Sequence, residues 1–243
     1  MKIIKLNAID STNTYLKDLS RNVTVQDGTI VTAEAQTQGR GQMGSKWQSK
    51  TGRSLTFSVF KRFHGLPITQ QPMIAFAVAL ALQKALQKLQ IPMVSIKWPN
   101  DIMSYQKKIC GILIENQLEG SKVIASVVGI GLNVNETEFI QLPQATSMRL
   151  ASGIQFNLDE VLVLVSEEVF RQLQALDEGN SEVLKQTYEA SLFRRNKVTA
   201  FESKDGVQFN GIIKGVADTG ELLLEIEDES LQKYEVKQLK MLF

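Results

Sequence analysis

Two short runs of this 243-residue chain combine residue types that suit anion binding. Residues 39–44 place three glycines and one arginine in six positions, and residues 97–101 read Lys-Trp-Pro-Asn-Asp. Glycine lets backbone N–H groups approach an anion closely, and the side chains of arginine and lysine add charge-assisted hydrogen bonds. Together the two runs predict a site that binds a phosphate group and activates a carboxylate.

The glycine run matches the Gly-x-Gly-x-x-Gly spacing of dinucleotide-binding loops, but its surroundings exclude that assignment. Residues 29–35 suit a strand, whereas residues 45–52 are polar without a helical period, and residues 55–60 alternate like a second strand. A dinucleotide site needs a helix N-terminus after the loop, and a P-loop needs a final Gly-Lys-Ser/Thr. We therefore predict a long loop that folds over a nucleotide; the alternative is an ordinary mobile hairpin loop.

The elements around these runs are predicted from hydrophobic periodicity. Further strands are expected at residues 2–6, 94–97, 108–116 and 123–135, and helices after Ser11 and at residues 73–89, 146–150, 158–176 and 181–189. From about residue 197 the chain has only short alternating runs separated by turn pairs, a pattern typical of a small β barrel. The sequence thus predicts an α+β fold, with a mixed β-sheet catalytic domain and flanking helices in residues 1–193 and a small β domain in residues 194–243.

Composition narrows the classes of function. Lysine and arginine total 27 against 26 acidic residues, which gives no electrostatic case for general nucleic-acid binding. Cys110 is the single cysteine and His64 the single histidine, so the sequence offers neither a disulfide nor a cysteine- or histidine-based metal cluster. No signal peptide or membrane-spanning apolar run is recognisable. A cytoplasmic protein is expected.

Seven motifs occur in the order and spacing of one family. They are residues 10–13 (Asp-Ser-Thr-Asn), 32–36 (Thr-Ala-Glu-Ala-Gln), 39–41 (Gly-Arg-Gly), 46–47 (Lys-Trp), 97–101, 108–115 (Lys-Ile-Cys-Gly-Ile-Leu-Ile-Glu) and 129–135 (Gly-Ile-Gly-Leu-Asn-Val-Asn). On these motifs the chain resembles biotin protein ligases, also called biotin–acetyl-CoA-carboxylase ligases, over essentially its whole length. The resemblance implies a class II synthetase-like catalytic domain and an SH3-like C-terminal β domain.

The resemblance also implies a two-step reaction. Biotin and ATP, with Mg²⁺, give biotinyl-5′-AMP and pyrophosphate, and a lysine of the biotin carboxyl carrier domain of acetyl-CoA carboxylase then displaces AMP. A carboxylate and ATP repel each other, so cations near the reacting phosphorus suit this chemistry. We expect no membrane partner, and a monomer or weak homodimer.

Residue roles follow from the same resemblance. Arg40, Lys97, Asp101 and Lys108 are expected to be catalytic, with Asp101 helping to hold Mg²⁺ or to orient the incoming amine. The residues expected at biotin are Ser11, Thr12, Asn13, Gln36, Arg40, Gly41, Gln42 and Lys108. Those expected at the adenylate are Gly39, Gly44, Lys46, Trp47 and Asn133. Each has a purely structural alternative, such as a helix cap for Ser11 and Thr12 or a surface ion pair for Lys97 and Asp101.

Two departures from the family pattern bear on function. Many members have arginine where this chain has Gln42, and an amide lacks the charge-assisted contact that retains an adenylate. Some members also carry an N-terminal helix-turn-helix domain, but here the motifs begin by residue 10, so no operator-specific DNA binding is expected. Two other functions remain open. One is a lipoate or octanoate ligase-type transferase, and the other is a non-catalytic ligand-binding protein on the same fold.

Overall fold

The computed structural model describes residues 1–140, 142–179 and 181–243, without the side chains of residues 181 and 182. The first sheet contains β1 (Ile3–Ile9), β2 (Ile30–Gln36), β3 (Ser54–Pro67), β4 (Val94–Lys97), β5 (Asp101–Ser104), β6 (Lys107–Glu119) and β7 (Lys122–Asn133). The second contains β8 (Val198–Ser203), β9 (Gln208–Val216), β10 (Leu222–Glu225), β11 (Leu231–Tyr234) and β12 (Leu239–Leu242). The helices are α1 (Thr12–Asn22), α2 (Gln71–Lys88), α3 (Met148–Ser152), α4 (Leu158–Asp177) and α5 (Ser181–Ala190). The predicted α+β fold is confirmed.

The seven-stranded sheet has the order β1-β2-β3-β7-β6-β5-β4 and is mixed, because β1 pairs parallel to β2 and the other neighbours are antiparallel. Its two faces are covered by different helices. Phe57 and Val59 of β3 belong to the large core beneath α2 and α4, whereas Phe60 packs with Leu16 of α1 on the opposite face. This alternation follows from the two-residue period of a strand. It also turns Ser58 toward α1.

Side-chain caps begin helices α1 and α4. The Ser11 hydroxyl accepts a hydrogen bond from the Thr14 N–H at 3.5 Å, and Asn157 accepts from the N–H groups of Asp159 and Glu160. The first of these caps places the start of α1 beside the ends of β2 and β3. Several of the predicted site residues therefore gather at this corner of the sheet.

The second sheet is antiparallel, with the order β11-β10-β9-β8-β12. It is tied to the first part of the chain by the indole N–H of Trp98, which donates to the Gly220 carbonyl at 2.9 Å. Strands β5, β11 and β12 were not predicted from the sequence. The division of the chain at residue 194 stays a prediction. Across the described residues, none of the helices is both long and apolar enough to cross a bilayer.

Candidate active site

A cavity of about 300 Å³ opens between the glycine run, the start of α1 and the central strands β3, β6 and β7. Most of the residues singled out from the sequence line it. They are Ser11, Thr12, Asn13, Gln36, Arg40, Gly41, Gln42, Lys46, Trp47, Asp101 and Lys108. Residues that were 97 positions apart in the chain thus share one concave surface, which suits a small-molecule site.

The remaining predicted residues lie around this cavity rather than in its lining. Gly39 and Gly44 line an adjoining hollow formed by residues 36–49 with Leu113 and Glu115. Lys97 lies on β4, beyond Asp101. Asn133 is buried and its amide donates to the Thr146 carbonyl at 3.0 Å. The roles assigned to these residues stay predictions.

The glycine run folds back on itself as a small hairpin. The Trp47 N–H donates to the Gly39 carbonyl at 2.9 Å, and the Gly41 N–H donates to the Ser45 carbonyl at 2.7 Å. A side chain at Gly39 would collide with the Trp47 carbonyl, and one at Gly41 would collide with the Ser45 hydroxyl. Glycine is needed at position 39 for this close approach of backbone to backbone, whereas at Gly41 an added side chain would have to displace the Ser45 hydroxyl.

The indole of Trp47 lies against a floor made by two glycines. Gly111 of β6 and Gly131 of β7 are register partners, and a Cβ atom on Gly131 would overlap the indole ring. The Lys108 ammonium is 5.7 Å from the centre of the same ring, within cation–π range. Among the described residues, the Trp47 indole N–H has no hydrogen-bond partner. The ring is therefore held by packing and by the cation–π contact, and its buried N–H is left unpaired.

Asp101 is the anion between two cations. The Lys108 Nζ lies 2.5 Å from its Oδ1, and the Lys97 Nζ lies 3.9 Å from its Oδ2. Burial lowers the pKa of the Lys97 ammonium, Asp101 opposes that shift, and the charge of Lys108 adds to it. The Phe243 ring covers Lys97, with its centre 5.4 Å from the Nζ. Lys108 is thus the cation of the pair that reaches the cavity.

The Arg40 side chain is held by hydrogen bonds to Glu115 and Thr14, two residues that were not predicted as site residues from the sequence. Its Nη2 donates to Glu115 Oε2 at 2.9 Å and to Thr14 Oγ1 at 3.1 Å, and Lys17 pairs with the other Glu115 oxygen at 2.9 Å. Burial alone would raise the pKa of the Glu115 carboxyl, but hydrogen bonds from Lys17 and Asn13 and the charge of Arg40 lower it. Glu115 stands in a quoted motif, yet only its partners from distant segments identify it as part of the site.

The second sheet also reaches the cavity. Val236, Lys237 and Leu239 contribute to its lining, and the Lys237 Nζ donates to the Met43 carbonyl of the glycine run at 2.6 Å. The sequence predicted only a small β domain here and did not indicate that it reaches the site. The contact between Lys237 and Met43 makes this domain part of the site.

The lining chemistry divides the cavity into two ends. One end carries neutral hydroxyl and amide groups from the start of α1 and from β2, and the other carries the charged pair of Lys108 and Asp101. Arg40 also lines the cavity, on the α1 side, where its charge is paired with Glu115. In the portion of the chain that the structure describes, there is no group of three or more His, Cys, Asp or Glu residues that would hold a metal ion. The arrangement suits an elongated ligand with a neutral polar head and an anionic end.

Comparison with known proteins gives matches of one kind. Residues 6–133 match the model of the biotin/lipoate A/B protein ligase family. The bifunctional ligase/repressor BirA of Bacillus spizizenii is 30% identical over 234 residues, which cover 93% of this chain and 70% of that protein. The biotin–acetyl-CoA-carboxylase ligase of Paracoccus denitrificans is 29% identical over 88% of this chain and 90% of its own length. The solved structure of the biotin protein ligase from Aquifex aeolicus in complex with biotin and ATP superimposes with a TM-score of 0.79 at 28% identity, covering 99% of this chain and 98% of that one.

Proposed function

Because the chain belongs to the biotin/lipoate A/B protein ligase family, we propose that its cavity binds biotin and ATP and forms biotinyl-5′-AMP. The enzyme is a ligase that then transfers the biotinyl group to a lysine of an acceptor protein. The observation that carries this proposal is the division of one cavity into a neutral polar end and a cationic end. Residues 11–13 and Gln36 form the neutral end, and Lys108 forms the cationic end.

The neutral end suits the fused ring system of biotin. A ureido group is uncharged, donates through two N–H groups and accepts through one carbonyl, so hydroxyl and amide side chains complement it. Ser11, Thr12 and Gln36 supply such groups. A dithiolane ring, as in lipoate, has no N–H or carbonyl group to match the donors and acceptors of these side chains, which disfavours the lipoate-type alternative.

The cationic end suits activation of the biotin carboxylate. A carboxylate oxygen attacks the α-phosphorus of ATP, the bond to the bridging oxygen breaks, and pyrophosphate leaves. Lys108 and Arg40 offset the repulsion between the two anions and stabilise the charge that develops on the phosphoryl oxygens. Arg40 can act in this way only after exchanging its contact with Glu115 for one with the ligand.

Mg²⁺ is part of this proposal. When bound, it would neutralise phosphate charge, and Asp101 is the residue that would hold it. Mg²⁺ is commonly bound through one or two carboxylates together with substrate phosphates, so a single carboxylate fits the ion. Asp101 is already paired with Lys108 and Lys97, which leaves the phosphates of ATP as the main ligands.

In the second step, the amine of the acceptor lysine attacks the carbonyl carbon of the mixed anhydride, and AMP leaves with the electron pair of the broken C–O bond. Asp101 would orient that amine, since its carboxylate lines the cavity beside Lys108 and can accept a hydrogen bond from an N–H group. We infer that the acceptor is a biotin carboxyl carrier domain of acetyl-CoA carboxylase, as the name of the relative from Paracoccus denitrificans indicates for that protein.

Mass spectrometry tests this function directly. A purified carrier domain incubated with this protein, biotin and MgATP should gain the mass of one biotinyl group. The gain should be lost with Lys108→Ala or Arg40→Ala and kept with Lys107→Ala, whose lysine is adjacent in sequence but exposed.

The other outcomes separate the alternatives. Pyrophosphate release without biotinylation would mean that the adenylation step is right and the acceptor is wrong. Transfer of lipoate instead of biotin would favour the lipoate-type reading. Tight biotin binding without pyrophosphate release would indicate a non-catalytic binding protein.

A further inference from the structure

A continuous chain of hydrogen bonds lies behind the neutral end of the cavity. It runs from Glu115 Oε2 to Asn13 Nδ2 at 3.1 Å, from Asn13 Oδ1 to Ser58 Oγ at 2.6 Å, and from Ser58 Oγ to Thr12 Oγ1 at 2.8 Å. Asn13, Ser58 and Thr12 are 2%, 0% and 3% exposed, so water does not compete for these contacts. The four residues come from three elements: Thr12 and Asn13 from α1, Ser58 from β3 and Glu115 from β6.

The direction of this chain is fixed at its Glu115 end. The pKa of the Glu115 carboxyl is lowered, as described above, so the group is ionised at neutral pH and can only accept hydrogen bonds. The amide of Asn13 therefore donates to it, and the same amide nitrogen also donates to the Leu113 carbonyl at 3.2 Å. Both neighbours of this nitrogen are acceptors, so the Asn13 oxygen must face Ser58.

Packing holds the Asn13 amide in this orientation. Gly129 of β7 lies directly against it, and a Cβ atom at that position would overlap the Asn13 side chain. The absence of a side chain at Gly129 leaves space for the amide between α1 and the sheet. The amide is therefore confined as well as hydrogen-bonded.

The Ser58 hydroxyl in turn fixes the orientation of the Thr12 hydroxyl at the cavity. Ser58 has one hydroxyl hydrogen, and the oxygen of Asn13 requires it. The oxygens that neighbour the Thr12 hydroxyl, Ser58 Oγ at 2.8 Å and Gln36 Oε1 at 3.2 Å, are then both acceptors. The Thr12 hydrogen is therefore directed into the protein, and a lone pair of its oxygen is left facing the cavity.

The backbone of Thr12 also orients the Gln36 amide. Its Oε1 accepts the backbone N–H of Thr12 at 2.8 Å, so its Nε2 is left as a donor. The neutral end of the cavity thus presents one defined acceptor and one defined donor. A ureido group, which donates through nitrogen and accepts through oxygen, complements that pair.

We propose that Glu115 is a positioning residue for biotin: it fixes the direction of the Glu115–Asn13–Ser58–Thr12 chain and thereby makes Thr12 an acceptor for a ureido N–H. This inference rests on the proposed function, because biotin is the ligand that it orients. Glu115 acts on the biotin head through Asn13, Ser58 and Thr12, and it does not line the cavity itself. Because Glu115 also pairs with Arg40, Ser58→Ala, which leaves that pair intact, is the variant that isolates the chain. It determines which polar heads the cavity accepts.

The test measures biotin affinity by calorimetry and the KM values for biotin and ATP from pyrophosphate release. Ser58→Ala removes the central link, and Glu115→Gln makes the end of the chain ambiguous because an amide can donate or accept. Each should weaken biotin binding by about tenfold, the usual effect of one mismatched buried hydrogen bond. Ser58→Ala should leave the KM for ATP unchanged, which a general loss of packing would not.

Two further variants separate this role from other effects. Lys17→Gln removes an ion pair from Glu115 without touching Asn13, so biotin affinity should stay within about twofold. Ser58→Cys keeps the size of the side chain but donates weakly, and it serves if Ser58→Ala does not fold. The double variant Ser58→Ala with Glu115→Gln should bind biotin no more weakly than the worse single variant, because both cut the same chain.

Distinct results would overturn the inference and the proposed function. Folded Ser58 and Glu115 variants that bind biotin like the natural protein, or a double variant whose losses add fully, would overturn the role of Glu115 alone. A natural protein that binds no biotin would overturn the proposed function, and the inference with it.

Discussion

The Lys108 ammonium lies 2.5 Å from one oxygen of Asp101, while Lys97 lies 3.9 Å from the other oxygen of the same carboxylate. The two lysines are therefore not equivalent. Lys108 lines the cavity, whereas Lys97 is partly buried beneath the Phe243 ring. A shared anion holds both cations, but only one of them faces the space where a ligand would react.

Replacing each lysine by methionine should expose this difference. Lys108→Met removes a charge-assisted contact of about 1.5–3 kcal/mol, so adenylation should slow by about 10–100-fold. Lys97→Met should slow it by less than about fivefold, because Lys97 acts only through Asp101. The measurement is single-turnover pyrophosphate release, with thermal midpoints as the control for folding. Equal losses for the two variants would show that Lys97 also meets the ligand.

Gln42 lines the cavity at the position where the family resemblance leads us to expect arginine. Gln42→Arg should restore a charge-assisted hydrogen bond to the adenylate and slow its dissociation by about tenfold or more. The dissociation rate can be followed by chasing preformed biotinyl-5′-AMP with excess unlabelled biotin and ATP. Identical rates for the two proteins would mean that Lys46 or another cation already supplies this contact.

Alanine substitutions at the two glycines beneath Trp47 should differ in effect. Gly131→Ala places a methyl group inside the indole ring, whereas Gly111→Ala meets the edge of that ring and the flexible end of the Lys108 side chain at 3.2 Å. Overpacking of this kind costs about 1–3 kcal/mol. Gly131→Ala should therefore displace Trp47, weaken ATP binding and shift the tryptophan emission toward that of exposed indole. Gly111→Ala should show a smaller change in each, and the reverse order would contradict this packing.

The ion pairs that Asp177 forms with Lys61 and His64 should make the free energy of unfolding depend on pH in the acid range. The Asp177 side chain, 7% exposed, pairs with the buried Lys61 at 3.2 Å and with the His64 ring at 2.8 Å. Burial would raise the pKa of this carboxyl, but hydrogen bonds from the backbone and ring of His64 and the charge of Lys61 lower it. Its stabilisation is therefore complete above the unfolded value of about 3.9 and is lost as pH falls through the folded value.

Asp177→Asn should accordingly lower the free energy of unfolding at pH 7, and its difference from the natural protein should shrink as the pH is lowered below about 4. Urea denaturation at several pH values from 7 to 3 measures this difference. Asp205→Asn, at an exposed turn, is the matched control and should follow the natural protein throughout. A difference independent of pH would show that Asp177 acts through packing alone.

The elements that sequence predicted well carry their own local pattern. Helix α2 and strands β6 and β7 each have a long apolar period, and Ser11 and Asn157 are standard capping residues. Strand β5 was missed because it is only four residues long and follows a Trp-Pro turn. Strands β11 and β12 are equally short, and polar residues interrupt them.

The partnerships within the site could not be predicted in the same way. The contact of Lys108 with Asp101 depends on a bulge that shifts the register of β5 against β6 between Ile102 and Met103. Glu115 and Ser58 are ordinary polar residues in strands until distant segments fold against them. The types of residue in the site could be predicted from the motifs, whereas strand register and the packing of distant segments decide which side chains form pairs.

The glycine floor on β6 and β7 has a consequence for how this protein can evolve. Gly111, Gly129 and Gly131 lie inside strands, where β-branched residues are favoured. Glycine at these positions therefore lowers the stability that strand propensity would otherwise give to the centre of the sheet. A side chain at any of these positions would enter the space that Trp47, Lys108 and Asn13 occupy, so the overpacking cost opposes the gain in strand propensity. Gains in thermal tolerance must therefore come from elsewhere in the chain, because at these three glycines an added side chain would disturb both the packing of the sheet and the site.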